Sequence, residues 1–179
     1  MPEIEIRPAI SSDIPGLMAL DHTIVSSHIW QIESFGEDEE MNIHLLRSRL
    51  PRPLTLTYPK RINNMADTWT THDLFLIAKI NHKLVGYLIL SMDFDLLTAQ
   101  ITDLVVDSHV RNQGIASGLI LSIRNYLRKN GMRKLMIAVP VRNQALIALI
   151  KKLQMNFCGF IDHYFPNQEA ALFYSMVIK

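Results

Sequence analysis

The chain has 179 residues, 49% hydrophobic and 20% charged, with a formal net charge of +1. That length and apolar content suit one folded domain with a substantial core and exclude a disordered chain. The balanced charge gives no basic surface of the kind that holds nucleic acid or an anionic membrane, and a single cysteine, Cys158, excludes an internal disulfide framework.

Taken in order, residues 4–7 (IEIR) alternate as a short strand that Pro8 ends. Ser11, Ser12 and Asp13 then offer caps for a helix carrying Ile14, Leu17, Met18 and Leu20, with Pro15 early in it. Residues 21–72 are the least legible part. The acids around Gly36-Glu37-Asp38-Glu39-Glu40 precede MNIHLLRSRL, which ends in Arg47 and Arg49. That order suits a helix whose charges complement its dipole, broken by Pro51-Arg52-Pro53; an acidic lip that attracts amines is the alternative. Residues 54–58 read as a strand and 59–72 as a loop, so 21–72 is expected to be a helical and loop insertion.

From Asp73 the pattern sharpens. Residues 74–80 and 84–92 form two strands joined by Asn81-His82-Lys83, antiparallel by their short connection. Gly86 inside the second marks a bulge or a close backbone approach. The stretch QITDLVVDSHVRNQGIASGLILSIRNYLRKNG then reads as strand, turn and helix. Ile101, Leu104, Val105 and Val106 are the strand, and an apolar stripe from Ile115 to Leu127 is the helix. Asn130-Gly131 stops it, with Arg128 and Lys129 suiting the negative end of its dipole. Residues 134–139 are a buried strand, and a strand-helix-strand unit of this length implies a right-handed crossover and parallel pairing. Asn143 opens a further helix, and residues 156–161 and 170–178 are two last strands joined by DHYFPNQE. The sum is an α+β fold: a mixed, mostly antiparallel sheet of about seven strands, with a parallel pair at its centre and helices on both faces.

The turn before the long helix carries the chemistry. Arg111-x-x-Gly114-x-Ala116 brings several amides to a helix N-terminus, where the first N–H groups lack intrahelical partners and the dipole is positive. This is an anion site, and many donors aimed at one place suit a pyrophosphate. Gly114 permits close approach, Ala116 keeps the first turn low, and Arg111 adds a cation. An ordinary strand-turn-helix with a solvated Arg111 is the bland alternative.

This motif, [Arg/Gln]-x-x-Gly-x-[Gly/Ala] after an apolar strand, resembles the acetyl-CoA pyrophosphate loop of the GNAT (GCN5-related N-acetyltransferase) superfamily. The element order also resembles the GNAT fold, except across most of the insertion. The resemblance implies one domain over residues 1–179, with 21–72 forming part of the acceptor side, and a central parallel pair that splays around acetyl-CoA. Val105 and Val106 would pair with the pantetheine; Arg111, Asn112, Gln113, Gly114, Ile115, Ala116 and Ser117 would hold the pyrophosphate; and Asn143, also a helix cap, would contact the pantetheine. It implies transfer of an acetyl group to a primary amine by direct attack in a ternary complex, with the Val106 amide as an oxyanion donor.

The chain departs from the family where acids and bases usually sit: the expected Tyr is Ile150, and two expected Glu positions are Ala138 and Gln100. The remaining catalytic candidates are Asp103, a charge within a strand, and Tyr164. His163 and Tyr164, in a tail loosely similar to that of N-terminal peptide acetyltransferases, together with Trp30 and Gln31, are candidates to contact the acceptor. Core packing for Trp30 and a loop anchor for His163 and Tyr164 are the alternatives. Empty acid and base positions also admit a non-catalytic acyl-CoA-binding sensor or interaction module.

Cys158 reads as buried packing within NFCGF, and the seven His residues show no metal-ligand spacing, so no metal is expected. The N-terminus has no secretory pattern and no apolar run is long enough to span a bilayer, so a cytoplasmic protein without nucleic-acid or membrane partners is expected. The resemblance also allows a homodimer.

Overall fold

A computed structural model describes residues 3–37, 39–58 and 64–179; Asp38 and the first part of the expected loop, residues 59–63, lie outside them. The main sheet has seven strands: β1 (Glu5–Pro8), β4 (Leu74–Ile80), β5 (Lys83–Asp93), β6 (Thr98–Val106), β7 (Lys134–Pro140), β8 (Asn156–Ile161) and β9 (Ala171–Val177). Their order is β1-β4-β5-β6-β7-β9-β8. Every neighbouring pair is antiparallel except β6 and β7. The crossover between that pair is α3 (Ile115–Lys129), and α4 (Gln144–Lys152) follows β7.

Two apolar faces explain this layering. Leu119, Ile120, Ile123 and Leu127 of α3, with Ile147 and Ile150 of α4, are fully buried against Leu88, Leu90, Leu135 and Val139 on one side of the sheet. On the other side α1 (Ile14–Met18) and α2 (Met65–Thr68) cover Phe75, Ile77, Tyr87, Ile89 and Val105 through Ile14, Leu17 and Met65. The start of α1 is pinned by Asp13. Its carboxylate takes two hydrogen bonds from the Arg7 guanidinium (2.7 and 2.8 Å) and one from the Ile10 N–H (3.0 Å).

The parallel pair is short. β6 and β7 stay in register only from Thr98↔Lys134 to Ile101↔Ile137, and beyond that the strands part. The cause lies in β6, where Thr102 is an extra residue: Ile89 faces Asp103 and Leu90 faces Ile101. A bulge of this kind bends its strand and raises the local twist. A second irregularity skips Val85 near Gly86, the position at which a bulge or close approach is expected. A Cβ at Gly86 would lie 2.6 Å from the Val105 carbonyl oxygen, so glycine is required there.

Two expectations are overturned. The stretch expected as a helix, MNIHLLRSRL, lies in β3 (Glu40–Leu56), which pairs with β2 (Ile24–Glu37) as a separate two-stranded ribbon. Met41, Ile43 and Leu45 alternate along one face of β3, and Ile32, across from Leu45, continues that face. Pro51 and Pro53 are accommodated because β3 has a partner on one side only. Cys158 is exposed rather than buried: the β8–β9 register skips it between Phe157 and Gly159. No helix among the described residues is long and apolar enough to cross a membrane.

Candidate active site

Where β6 and β7 part, the sheet opens into a cleft of about 570 Å³. Its walls are the free end of β6, the start of α3, the exposed side of α4 and, from the opposite face, His22, Ile24 and Tyr58.

One end of the cleft is an anion cradle. Gly114 caps α3 in the left-handed conformation (φ 85°) and supplies no side chain to satisfy the first amides. A Cβ there would meet nothing within 4 Å, so this side of the turn is open space. The first-turn N–H groups of α3 have no intrahelical partners and carry the positive end of the dipole. Asn112, Gly114, Ile115, Ala116 and Ser117 all line the cleft. Arg111 also borders it, but its guanidinium is tied back: Nε donates to the Val106 carbonyl (3.0 Å) and an Nη to the Thr23 carbonyl (2.7 Å). The amides, more than this side chain, face the open space.

The middle of the cleft is an unfinished strand edge. The Asp107 N–H donates to the Val85 carbonyl (2.9 Å), so residues 107 and 85 are a hydrogen-bonded pair of the antiparallel ladder. By alternation the N–H and C=O groups of Leu104 and Val106 point away from β5, toward β7. At these residues β7 is out of register, and the groups face the cleft instead. Asn143 borders the same region; its Oδ1 accepts from the Leu146 N–H (3.1 Å) and caps α4, leaving its amide group for other partners.

The far end is a cluster of titratable side chains. The Tyr58 hydroxyl donates to Asp103 Oδ1 at 2.5 Å. His22 is buried beside them, its ring 5.5 Å from that of Tyr58. Nδ1 of His22 is 2.6 Å from the Leu20 carbonyl, which can only accept, so the proton sits on Nδ1 and Nε2 accepts from the Tyr87 hydroxyl (3.1 Å). Burial lowers the His22 pKa, against the opposing pull of the Leu20 carbonyl and of Asp21, Asp103 and Asp107, so the ring is neutral at pH 7. Burial and then the Asp103 charge raise the pKa values of Tyr58 and Tyr87, which keeps both hydroxyls protonated.

A stitched turn holds His22 in place. Asp21 Oδ2 accepts from the Ser108 hydroxyl (2.5 Å), Oδ1 accepts from the Thr23 N–H (2.9 Å) and hydroxyl (2.7 Å), and the Asp21 N–H donates to Asp107 (3.2 Å). The Ser108 and Thr23 bonds hold the Asp21 carboxyl well below the usual carboxylate range. The segment before the ribbon is thereby sewn to the turn after β6.

A sequence profile described as the acetyltransferase (GNAT) family matches residues 41–155, well over half of the chain. The chain belongs to this family. In structure it is similar to a nourseothricin acetyltransferase, with a TM-score of 0.85 and 18% identity over 98% of this chain and 99% of that one. It is also similar to a Bacillus anthracis protein described as a streptothricin acetyltransferase in complex with acetyl coenzyme A (TM-score 0.78, 16% identity, 98% and 99% covered). The Escherichia coli ribosomal-protein-S18-alanine N-acetyltransferase is a more distant likeness (TM-score 0.70, 18% identity, 99% and 95% covered). No curated protein matches the chain by sequence.

Measured against the family pattern, Val105, Val106, Arg111, Asn112, Gly114, Ile115, Ala116, Ser117 and Asn143 border one cleft together with Asp103, whereas Gln113 does not. Ile150 is fully buried in the core, so α4 turns Ala145, Ala148 and Leu149 to the cleft and offers no hydroxyl there. Four expected acceptor residues stand elsewhere. Trp30 lies against α4, its Nε1 donating to Gln144 (2.9 Å) and Lys151 Nζ 4.2 Å from its ring centroid. With Ile32 it borders a separate cavity of about 250 Å³. Gln31 accepts from Ser48 across the ribbon (2.6 Å). His163 is exposed beside Asp162, and Tyr164 stacks edge-on against Phe165 and Phe173. Phe165, not Tyr164, reaches the cleft. Tyr58 and His22 carried no sequence signal, since each lies in irregular chain flanking the ribbon and meets Asp103 only through the fold.

Proposed function

We infer that this acetyltransferase moves an acetyl group from acetyl-CoA to a primary amine by direct attack of the amine on the thioester. The observation that carries the reading is that an amide-lined helix start, an open strand edge and a carboxylate-bearing cluster border one opening. The cradle suits the pyrophosphate. The cleft-facing N–H and C=O of Leu104 suit the pantetheine amides, which would extend the sheet as an added strand does. This refines the expected Val105–Val106 contact, because Val105 directs its peptide groups to β5.

An alkyl ammonium has a pKa near ~10 and must lose a proton before it attacks. Asp103, which borders the cleft, is the base we propose for that proton. As the nitrogen adds to the carbonyl carbon, negative charge gathers on the oxygen, and the Val106 N–H, facing the splay, is the donor available to it. The C–S bond then breaks. A thiol has a pKa of about 8.5, so the thiolate is a fair leaving group, and the proton that the added nitrogen gives up reaches it through solvent. This accounts for a working site with Ile150 in place of the usual Tyr. That same substitution favours a second reading, a non-catalytic acyl-CoA-binding module. The similarity to nourseothricin and streptothricin acetyltransferases supports a small-molecule amine as acceptor.

Calorimetry with acetyl-CoA and CoA, followed by thiol-release assays across alkylamines, polyamines, amino sugars and peptide N-termini, tests the reading. Binding with turnover on an amine supports the transferase. Binding without turnover on any of them supports the module, and no binding refutes both.

A further inference from the structure

We propose that the outer edge of β3 is a self-pairing surface. Two copies of this chain join there, edge to edge and antiparallel, so that β2 and β3 of one continue into β3 and β2 of the other as a single four-stranded sheet. β3 is 17 residues long, and among the described residues it is paired on one side only. The Trp30 N–H donates to the Val141 carbonyl (3.0 Å), so the peptide groups of Trp30 point away from β3 and toward the body of the domain. In an antiparallel ladder the residue opposite, Arg47, then turns its own N–H and C=O away from β2. The register is unbroken from Glu40 to Arg49, so by alternation Met41, Ile43, Leu45, Arg47 and Arg49 present a row of donors and acceptors along the outer edge. An edge of this kind is open to strand addition. Proline, a usual guard of such edges, stands only at 51 and 53, past the regular register. The edges of the main sheet are poorer templates: β1 has four residues and ends in Pro8, and β8 has six and skips Cys158.

The charge order says that the partner is a second copy. A two-fold contact needs a surface that complements itself. Along this edge the acids Glu39 and Glu40 stand at one end and Arg47 and Arg49 at the other. None of the four enters an ion pair among the described residues. Between them Met41 is 79% and Ile43 44% exposed, apolar surface that pairing would draw out of water. An antiparallel copy reverses this order. In the register that sets Ile43 against Leu45 of the second copy, Met41 meets the stem of Arg47 and Glu39 stands opposite Arg49. Symmetry makes each of these contacts twice, whereas a strand of uniform charge would match one end of the edge and repel the other.

The test is sedimentation velocity of the full chain across a wide range of concentration, at low and at high salt. We expect a dimer whose dissociation constant rises with salt. Ile43→Pro removes one outward N–H and spares every rung between β2 and β3, a position that proline tolerates on an edge. It should weaken the dimer at least about tenfold, since symmetry places the change twice, while the urea midpoint stays close to wild type. A second pair of variants needs no change of backbone. Glu39→Arg and Arg49→Glu should each weaken self-association about tenfold by setting like charges opposite one another. Mixed in equal amounts they should recover a heterodimer of about wild-type affinity, because every facing pair is again of opposite sign. Recovery on mixing is a result that damage to the fold would not give. A wild-type chain that stays monomeric at every concentration overturns the proposal. So does a dimer that Ile43→Pro and both charge variants leave intact, which would put the contact on another edge, and so do charge variants that stay apart when mixed.

Discussion

Replacing Gly114 with Val separates folding from ligand binding at the anion cradle. The backbone there holds φ at 85°, and a side chain with a Cβ pays about 1–2 kcal/mol to adopt that region, more for a β-branched one. Nothing lies within 4 Å of the new Cβ, so no core contact is broken and the fold should persist with that modest loss. The isopropyl group would instead project into the space that the first amides of α3 face. If two charge-assisted amide bonds to phosphate are lost, each worth about 1.5–3 kcal/mol, affinity falls by at least about a hundredfold. Urea denaturation gives the stability term and calorimetry with acetyl-CoA gives the other. Gly114→Ala, with one methyl, should show most of the strain and a smaller loss of binding. A valine variant that is destabilised as expected yet binds acetyl-CoA within about threefold of wild type would refute the assignment of this turn to the pyrophosphate.

Asn143 allows a similar separation. Asn143→Ala should cost about 1 kcal/mol through loss of the α4 cap, whereas Asn143→Asp keeps the cap; weaker acetyl-CoA binding in the Asp variant, at unchanged urea midpoint, would show that the side-chain amide touches ligand. Asp13→Asn should destabilise by about 2–4 kcal/mol at pH 7, because the Arg7 guanidinium loses its buried partner. The Asp13 pKa is depressed, with the Arg7 hydrogen bonds the largest cause, so its stabilisation is present above the usual carboxylate pKa. The gap between wild type and variant should therefore close as pH falls below about 4, and a constant gap across that range would refute the ion pair as its source. His22 runs the other way. Its folded pKa is lowered, so the unfolded chain binds the proton more readily, and stability should fall as pH drops below about 6.5. His22→Asn should flatten that slope in urea midpoints taken from pH 7.5 to 5; an unchanged slope would assign the titration to another group.

The sheet and the long helix were legible because their apolar periods are clean: LFLIAKI reads only as a buried strand, and the stripe from Ile115 to Leu127 only as a helix. The turn before α3 was legible as a strand-to-helix junction because its signal is local, six residues of one turn. The ribbon was not. Acids before MNIHLLRSRL and arginines near its end imitate the charge order of a helix, while its exposed Met41, Ile43 and Leu46 are set by pairing with β2 and not by a core. Asp103 stood out as a charge in a strand, but its partners are contributed by segments far away in the chain: Tyr58 hydrogen-bonds to it across 45 positions. No pattern within a window of sequence marks such a meeting. The lapse at Cys158 has the same origin, since a skipped residue on the outermost strand β8 looks like any other strand position until its register is known.

The early parting of β6 and β7 has a thermodynamic consequence. A sheet that stops pairing at Ile101↔Ile137 is incomplete at its centre, the place where most sheets are strongest. On the reading proposed above, a donor molecule laid along β6 would supply the missing rungs, and occupancy and structural integrity would become one equilibrium. At a hundred times its dissociation constant such a ligand adds about 2.7 kcal/mol to the folded state. The protein's resistance to unfolding, and with it to proteolysis, would then rise and fall with the cell's supply of acyl donor. Amides flanking the gap should exchange with solvent faster when that supply is removed.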